Sequence, residues 1–379
     1  MNILLVIPTN VGTIASISYD LYNGLCKQQN INVYVACLGE YSEDGFHFNN
    51  VVSVRKSNSR LKRIFSRVRE LREIKRRYAI DESISTLLGA TYWNVLSGIG
   101  ENKVGVFHTR LEQMKYSGYL FYLENYFANK ILCSRLNKMI AVNKSAYLDL
   151  IRLHGNSNRI ELVYNIHDFS KINRLSLEYI SDEKERALFE NPVVLYVGNL
   201  YCNVKGTDRL LRAFRNFHSS NQDYKLVYIG DASDDSLKRL QSMCVMYGLD
   251  KSVYFLGRKR NPYKYMKHAR MLVSPSRDEG LPGVLIEALS LGLKVVATNS
   301  TIGVWEIMEC AEKYDENLGG LIRTNYGYIC PNNLVDEDFT VENMASAMQT
   351  CLTSQFEHMG AFNKRRFSED EIVPHYVIK

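Results

Sequence analysis

The sequence predicts an α/β protein with two domains, each built around a parallel β-sheet. The chain has 379 residues, which is too long for one hydrophobic core and fits two domains. Short apolar runs alternate with helical patterns, as in the β-α units that form parallel sheets. The alternation is interrupted near Tyr164–Asp168, and a second series starts at about residue 193. We therefore expect a first domain over residues 1–168 and a second over 169–357.

The individual elements follow from runs of apolar and β-branched residues and from helical periodicity. In the first series, strands are predicted at residues 3–7, 31–38, 51–54, 104–107, 139–142 and 160–164, with helices including 14–28 and 119–135. In the second, strands are predicted at 193–197, 225–229, 252–256, 271–274 and 294–298, with helices near 207–219, 235–247 and 284–291. Another helix is predicted from residue 341 onward.

Composition and cysteine usage narrow the class of protein. Apolar residues make up 46% of the chain and charged residues 23%, which indicates a globular protein. The eight cysteines form no C-x-x-C pair, so neither a zinc site nor a disulfide framework is indicated, and reduced thiols in a cytoplasmic protein fit better. The segment Met1–Pro8 is interpreted as a first strand and not as a signal peptide. No run approaches the roughly 20 apolar residues that cross a bilayer.

The positive charge is concentrated in one predicted helix. Residues 55–77 contain eleven Lys and Arg and two glutamates, a net charge of +9 within a chain whose total is +6. Apolar residues recur there at three- and four-residue steps, which predicts an amphipathic helix with a basic face. Packing on a core explains the apolar stripe, but an excess of one charge favours an anionic membrane surface. Nucleic acid is not expected, because no nucleic-acid-binding pattern accompanies the basic residues.

The segment Ser274–Thr298 is the most informative part of the sequence. It predicts a strand, a Gly/Pro-rich loop, a helix and a second strand. Ligands of open α/β sheets bind beyond the carboxyl ends of the strands, which is where this loop lies. Gly280 and Gly283 let the backbone approach a ligand, and Pro282 suits the start of a helix. The first N–H groups of that helix have no partners within it and suit a diphosphate.

Two glutamates, Glu279 and Glu287, are separated by seven residues in this segment. Phosphate would repel their carboxylates, so the hydroxyl groups of a sugar or a ribose are better partners. On physical grounds alone, Glu287 is equally consistent with an ordinary first-turn glutamate that stabilises the helix dipole.

Four elements in order resemble the retaining GT-B glycosyltransferases of family four. The family carries a Glu-x7-Glu motif, which matches Glu279 and Glu287. Three earlier segments also match: Val193–Leu200 with Lys205-Gly-Thr-Asp208, Lys225–Asp231, and Val253–Gly257. The similarity is strong over residues 193–306. It implies a GT-B fold, in which two Rossmann-like domains with parallel sheets face a central cleft. The first domain would bind the acceptor and the second a nucleotide sugar, and a C-terminal helix over about 358–379 would pack back on the first domain.

The resemblance also implies roles for individual residues. Glu279 would face the donor sugar, Glu287 the ribose, and Lys205 the β-phosphate of the leaving UDP. His108 follows the fourth predicted strand, at a family position that faces the transferred sugar, although a lone histidine is more often structural. We count it as catalytic with Glu279 and Lys205. The expected donor-binding residues are Gly12, Gly198, Asn199, Lys205, Gly230, Arg258, Gly280, Leu281, Pro282, Gly283, Val284 and Glu287.

The chain departs from the family pattern in two places. The family has two consecutive glycines where this chain has Val11-Gly12, so a structural role for Gly12 stays open. Asn199 stands where the family has an arginine. Either Lys205 acts with helix N-termini alone, or Arg277 or Arg258 supplies the second positive charge.

The function implied by the resemblance is retaining, metal-independent transfer of a hexose or N-acetylhexosamine from a UDP-sugar, with galactose or an N-acetylhexosamine favoured. No cofactor is expected, and no Asp-x-Asp metal motif follows a strand.

The run Ile302–Met308 resembles bacterial transferases for O-antigen, capsule or lipopolysaccharide, whose acceptors are polyprenyl-diphosphate-linked or lipopolysaccharide saccharides. With the basic helix, this implies a cytoplasmic protein held peripherally on the inner face of the cytoplasmic membrane. The expected membrane and acceptor contacts are Arg60, Lys62, Arg63, Arg67, Arg69 and Arg110.

Two alternatives stay open at this point. One is an enzyme of the same fold with a soluble substrate, either a transferase or a nucleotide-sugar epimerase. The other is a non-catalytic membrane-binding protein on the same scaffold.

Overall fold

The computed structural model describes residues 1–53, 60–108, 119–356 and 360–378. The chain divides into two compact units. Unit 1 comprises residues 1–168 and 365–379, and unit 2 comprises residues 169–364. Unit 1 is therefore built from two separate stretches of chain, whereas unit 2 is continuous.

Unit 1 is a parallel α/β sheet. Its strands are β1 (Asn2–Ile7), β2 (Asn32–Cys37), β3 (Val51–Ser53), β4 (Glu82–Thr86), β5 (Asn102–Phe107), β6 (Lys138–Ala141) and β7 (Ile160–Leu162). Helices α1 (Thr13–Cys26), α2 (Arg60–Arg77), α3 (Leu88–Leu96), α4 (Tyr119–Leu132) and α5 (Lys144–His154) connect them. The sheet order is β3-β2-β1-β4-β5-β6-β7, and each neighbouring pair is parallel.

Strand β1 shows why this sheet is buried on both faces. Its residues Ile3–Ile7 are all fully buried. Ile3, Leu5 and Ile7 belong to one core cluster with α1, while Leu4 and Val6 belong to a second cluster with α2. Successive side chains of a strand point to opposite faces, so the continuous apolar run serves two cores, as expected for a parallel sheet covered by helices.

One strand of unit 1, β4, was absent from the predicted set. Its sequence is Glu-Ser-Ile-Ser-Thr, and all five residues are buried. It lies between β1 and β5 in the sheet. The strand predicted at 104–107 is therefore the fifth of the unit and not the fourth, and it ends directly before His108 as predicted.

Unit 2 repeats the parallel architecture. Its strands are β8 (Val193–Val197), β9 (Lys225–Ile229), β10 (Val253–Phe255), β11 (Met271–Ser274), β12 (Lys294–Thr298), β13 (Ile322–Arg323) and β14 (Gly327–Cys330). Its helices are α6 (Phe169–Ser176), α7 (Glu183–Leu188), α8 (Cys202–Lys205), α9 (Thr207–His218), α10 (Asp234–Met246), α11 (Tyr263–His268), α12 (Gly283–Ser290), α13 (Ile302–Ile307) and α14 (Glu337–Thr353). The sheet order is β10-β9-β8-β11-β12-β14-β13, and only the β13–β14 pair is antiparallel.

The five strands predicted for this half agree with β8 to β12 to within a residue at each end. The order of these strands places β8 and β11 side by side, although 73 residues separate Val197 from Met271. Helices α9 and α14 pack together on one face of the sheet through Leu210, Phe214, Met344 and Met348, which are fully buried.

The C-terminal segment belongs to unit 1 but is not the single helix predicted over 358–379. It forms 3-10 turns at Lys364–Phe367 and Val373–Tyr376 and a short helix, α15 (Glu369–Ile372). The carbonyl oxygen of Phe367 accepts a hydrogen bond from the N–H of His167 at 2.8 Å. Ile372, Val373 and Tyr376 are buried in the same core cluster as β1. Unit 2 also continues to residue 364, beyond the predicted boundary at 357.

Candidate functional site

Three glycines line the carboxyl edge of the unit 2 sheet. Gly198, Gly230 and Gly257 each follow one of the neighbouring strands β8, β9 and β10, and all three have positive φ angles. The N–H of Gly198 donates to Ile229, and the N–H of Gly230 donates to Gly257. A Cβ on Gly230 would lie 1.8 Å from the carbonyl oxygen of Gly198. These positions favour glycine, and they leave backbone and not side chains at the edge where ligands of such sheets bind.

The loop that follows β11 is fixed by hydrogen bonds from the elements around it. The hydroxyl of Thr298 donates to the carbonyl of Ser276 at 2.6 Å, and Asn332 donates to the carbonyl of Arg277 at 2.8 Å. The N–H of Arg277 donates to Val204 at 2.8 Å. The loop also packs tightly against Gly206, where an added Cβ would lie 2.1 Å from the carbonyl oxygen of Pro275. The loop is therefore held by its backbone to both β12 and the α8–α9 turn.

The Arg277 side chain anchors this loop electrostatically. Its guanidinium forms ion pairs with Asp208 at 3.1 Å and Glu337 at 2.8 Å, and it also donates to the carbonyl of Cys202. Burial opposes the charge, but the hydrogen bonds and charges of Asp208 and Glu337 raise the pKa of Arg277. The fully buried Arg209 joins the same network through Glu337. Arg277 is thus engaged behind the loop, which argues against it as the substitute for the missing diphosphate arginine.

Two of the predicted catalytic residues meet at this loop. The ammonium group of Lys205, at the end of α8, lies 2.6 Å from Oε1 of Glu279. The hydroxyl of Ser276 donates to the same carboxylate oxygen at 2.8 Å. The side chains of Lys205 and Glu279 are 29% and 16% exposed, so the pair is screened from bulk water yet reachable. The site therefore carries a preformed charge pair whose two members were predicted to bind different parts of one donor.

The second glutamate of the motif lies one and a half turns into α12. Oε1 of Glu287 accepts a hydrogen bond from the hydroxyl of Tyr263, the first residue of α11, at 3.2 Å. Tyr263 was not among the predicted site residues, because a tyrosine in a loop-to-helix junction carries no pattern that distinguishes it from the other 24 tyrosines.

Helix α12 begins at Gly283 directly after the loop. Pro282 occupies the N-cap position and gives no side-chain hydrogen bond to the helix. Its carbonyl accepts from the N–H of Leu285 at 3.0 Å, so the N–H groups of Gly283 and Val284 are the ones placed to bind a ligand. The carbonyl of Gly280 accepts from the hydroxyl of Thr301 at 3.3 Å, which fixes the backbone just before the helix. Leu281 and Val284 are the partly exposed side chains at this helix start.

The remaining predicted donor contacts lie at the same edge of the sheet. The side chain of Arg258 is 60% exposed and lies 3.7 Å from Asp231. Asn199 is exposed, and its carbonyl oxygen accepts a hydrogen bond from the Tyr196 hydroxyl at 2.7 Å. Asn199 is thus held through its backbone, and it adds no positive charge to the site.

In unit 1, His108 follows β5 and is 7% exposed. Its carbonyl accepts from Asn143, the N-cap residue of α5. Burial lowers the pKa of His108 to about 4, and its Nε2 has no hydrogen-bond partner among the described residues. A histidine with this pKa is neutral near pH 7, so it can donate or accept a hydrogen bond but does not act as a general acid.

Gly12 caps α1 with a φ of 84° and a ψ of −175°. This backbone conformation favours glycine whatever it binds. The neighbouring loop is fixed by the fully buried Asn10, whose side chain donates to the carbonyl of Ser42 at 2.7 Å and accepts from the N–H of Ser42 at 2.8 Å.

The basic helix α2 is present, but its charges are used unequally. Leu71 and Ile74 face the core, whereas Phe65 is 76% exposed, which departs from the predicted apolar stripe. Lys75 is fully buried and lies 2.6 Å from Glu101, so it does not belong to the basic face. Arg67 donates to the carbonyl of Leu38 and stacks over Trp93.

Arg69 is 81% exposed and pairs with Glu73. The side chains of Arg60, Lys62 and Arg63 and the whole of Arg110 lie outside the described residues. None of the helices in the described part of the chain has the length and apolar character needed to cross a bilayer. Within the same residues, no group of three or more His, Cys, Asp or Glu side chains could hold a metal ion.

These features define a two-unit α/β protein of the GT-B class, with a carboxylate-and-lysine site at the carboxyl edge of the second sheet. Residues 191–353 match the protein family described as "Glycosyl transferases group 1". The matched residues lie within unit 2 and make up less than half of the chain.

Curated relatives are similar over slightly less than half of the chain. An uncharacterized glycosyltransferase of Methanocaldococcus jannaschii, MJ1059, is 32% identical over 46% of this chain and 42% of its own. The N-acetylgalactosamine-N,N'-diacetylbacillosaminyl-diphospho-undecaprenol 4-alpha-N-acetylgalactosaminyltransferase of Campylobacter jejuni is 30% identical over 49% and 47%. The capsular polysaccharide biosynthesis glycosyltransferase CapH of Staphylococcus aureus is 28% identical over 43% and 42%. The chain thus spans less than half the length of these relatives.

Solved structures match nearly the whole chain. Anabaena Alr3699/HepE in complex with UDP has a TM-score of 0.74 at 18% identity and covers 99% of this chain and 98% of its own. The apo form of the lipopolysaccharide outer core galactosyltransferase WaaB has a TM-score of 0.70 at 15% identity, with 99% and 98% covered. At these identities the similarity establishes the fold, which confirms the GT-B prediction.

Proposed function

We propose that this protein is a retaining glycosyltransferase that moves galactose or an N-acetylhexosamine from a UDP-sugar to a lipid-linked saccharide during bacterial surface-polysaccharide biosynthesis. The observation that carries the proposal is the Lys205–Glu279 pair beside the glycine edge of unit 2. A cation and helix N–H groups at this edge suit a diphosphate, and two carboxylates suit the hydroxyl groups of a sugar and of a ribose, so the three parts of a nucleotide sugar each have a partner. The names of CapH and the Campylobacter enzyme, which concern capsule and a diphospho-undecaprenol acceptor, support the biological setting.

Each part of the donor has a candidate partner. Lys205 and the first N–H groups of α12 would bind the diphosphate, because a cation and a helix N-terminus both favour negative charge. Glu279 would accept hydrogen bonds from the transferred sugar, and Glu287 from the ribose. When the bond between sugar and phosphate breaks, the UDP oxygen gains charge while the sugar becomes oxocarbenium-like. Positive groups that are already in place stabilise that charge without reorganising, and on this basis we propose a metal-independent reaction.

His108 would contribute as a neutral group in unit 1. With a pKa of about 4, its imidazole would hydrogen-bond to the sugar and would not protonate the leaving group. Retention at the anomeric carbon is proposed from the resemblance of the Glu-x7-Glu segment. The anomeric configuration of the product, read by NMR, is the direct test.

The acceptor side of the proposal rests on α2. Each basic residue near an anionic leaflet contributes about 1 kcal/mol of binding, and the exposed Arg69 and Phe65 offer a charge and an apolar group on the same helix. We propose that this helix holds the protein peripherally on the inner face of the cytoplasmic membrane, where lipid-linked acceptors are available. Vesicle flotation tests this with Arg69→Glu, which should bind phosphatidylglycerol vesicles more weakly. Arg152→Glu on α5 is the control, since it changes the net charge equally at another exposed position.

The reaction itself is tested by incubating the purified protein with a panel of UDP-sugars and a bacterial glycolipid extract. Mass spectrometry should detect lipid that has gained one hexose or N-acetylhexosamine from one donor. Glu279→Ala should abolish the product, while Glu183→Ala, at an exposed position on α7, should not. Failure of the wild-type protein to bind any UDP-sugar would overturn the proposal. Transfer to a soluble saccharide alone would refute the lipid-linked acceptor while keeping the reaction.

A further inference from the structure

The hydrogen bond between Tyr263 and Glu287 has no role in the donor contacts described above. The phenol oxygen lies 3.2 Å from Oε1 of Glu287 and connects the first turn of α11 to the first turns of α12. Both side chains are partly buried. The bond therefore joins the expected ribose-binding carboxylate to a helix that carries none of the other predicted donor residues.

Tyr263 is itself fixed by its local sequence. Its N–H donates to Oδ1 of Asn261 at 3.1 Å, and Pro262 occupies the N-cap of α11 with a φ of −77°. The side-chain amide of Asn261 donates to the carbonyl of Leu175 at 2.8 Å and to Glu178 at 2.9 Å. The start of α11 is thus tied to the end of α6, and the phenol reaches Glu287 from an anchored backbone.

A second tyrosine on the same helix provides a comparison. The hydroxyl of Tyr265, two residues further on, donates to Glu185 at 2.6 Å. The side chain of Tyr265 is buried, and its bond is directed to α7. The two tyrosines therefore share a helix and a chemical group, but only one of them contacts the Glu-x7-Glu motif.

We propose that Tyr263 is a positioning residue that orients the Glu287 carboxylate and so sets the preference of the site for a ribonucleotide. This rests on the proposed function, in which Glu287 binds the ribose. The terminal torsion of a glutamate is broad, and a bond to one oxygen restricts it. A carboxylate accepts several hydrogen bonds, so the bond from Tyr263 is compatible with bonds from the two neighbouring ribose hydroxyls. The phenol thus selects the carboxylate orientation that those hydroxyls require.

The test compares the binding of UDP and of 2',3'-dideoxy-UDP, which lacks both ribose hydroxyls, by isothermal titration calorimetry. Wild-type protein should prefer UDP. Tyr263→Phe should weaken UDP binding about three- to tenfold, the size expected for the net loss of one ordinary hydrogen bond, and should leave dideoxy-UDP binding unchanged. In transfer assays the KM for the UDP-sugar should rise while kcat at saturating donor stays constant. Tyr265→Phe should leave the preference for UDP intact.

Three outcomes separate the possible failures. Equal weakening of both nucleotides by Tyr263→Phe, or an unchanged ratio, would overturn the positioning role. In a Glu287→Ala background, Tyr263→Phe should have no further effect on the ratio, and an additional effect would also contradict the proposal. If wild-type protein bound no UDP, the proposed function would fail, and this proposal would fail with it. Thermal unfolding of each variant verifies that it is folded.

Discussion

Replacing Glu279 with glutamine is predicted to tighten the binding of UDP while abolishing sugar transfer. The Lys205 ammonium lies 2.6 Å from the Glu279 carboxylate in the structure, so a diphosphate has to compete with that carboxylate for the lysine. Glutamine keeps the shape of the side chain and an oxygen that can accept from Ser276. It removes only the negative charge, which frees Lys205 and ends the repulsion of phosphate.

The magnitude follows from two contributions. A partly exposed ion pair contributes about 1 kcal/mol, and this is the cost that glutamine removes. At a separation of about 8 Å and an effective dielectric constant of about 40, the repulsion between the carboxylate and one phosphate charge is about 1 kcal/mol. Because the two effects overlap, the net gain is about 1–2 kcal/mol, or about five- to thirtyfold in the dissociation constant of UDP. Turnover should fall about a hundredfold or more, since an interaction with the reacting sugar is lost.

Calorimetry at low ionic strength measures the affinity, and product mass spectrometry measures the transfer. Screening should reduce the gain in affinity when the titration is repeated at high salt. The control is Ser276→Ala, which removes a hydrogen bond to the same carboxylate oxygen without altering charge and should change UDP affinity less than threefold. If Glu279→Gln bound UDP as weakly as wild type, or more weakly, the competition for Lys205 inferred from the structure would be wrong.

Three further predictions concern the framework. Gly206→Ala should destabilise unit 2 by more than Gly248→Ala and should also weaken UDP binding. Both glycines have φ near 65°, but of the two only Gly206 is close to another atom: an added Cβ would lie 2.1 Å from the carbonyl oxygen of Pro275. Denaturant unfolding should give about 1–2 kcal/mol for Gly248→Ala, the cost of the left-handed conformation alone, and equal costs for the two variants would contradict the close contact. Burial raises the pKa of Glu82 to about 7, so the folded state binds the extra proton, and stability from this group is present below about pH 4.5 and lost as the pH rises through 7. Glu82→Gln should remove that loss, about 3 kcal/mol at most, and an unchanged stability profile between pH 5 and 8 would refute it. Burial lowers the pKa of His167 to about 4, so the stability that the neutral imidazole contributes is present above about pH 6.5 and is lost as the pH falls through 4. His167→Asn should therefore make the free energy of unfolding, measured with denaturant, fall less steeply between pH 6.5 and 4. A fall as steep as that of the wild type would count against this assignment.

The apolar strands were predictable, whereas β4 was not. Every strand found from sequence has a run of apolar or β-branched residues, and such runs indicate burial directly. In β4 only Ile84 is apolar. Two of its polar residues have distant hydrogen-bond partners: Ser85 donates to the carbonyl of Val104 at 3.1 Å, and Oε2 of Glu82 accepts from the N–H of Ile378 at 2.9 Å. Nothing local to residues 82–86 indicates that these partners exist.

The same distinction applies to the site. Lys205, Glu279 and Glu287 were predicted from motif spacing, which depends on short segments. Their contacts depend on the sheet order, which brings together residues 74 positions apart in the case of Lys205 and Glu279. Tyr263 was missed for this reason, because its significance comes from the packing of α11 on α12.

The split of unit 1 into two stretches of chain has a consequence for synthesis. Residues 1–168 leave the ribosome before unit 2, yet their core also contains Ile372, Val373 and Tyr376, which are made after it. Unit 2 is continuous and can reach its native packing during translation. Part of the apolar surface of residues 1–168 therefore stays exposed until residues 365–378 have been synthesised. Such exposed surface makes partly folded chains prone to aggregation. We therefore expect the need for chaperones during expression to depend on residues 365–378, which are far in sequence from the core that they cover.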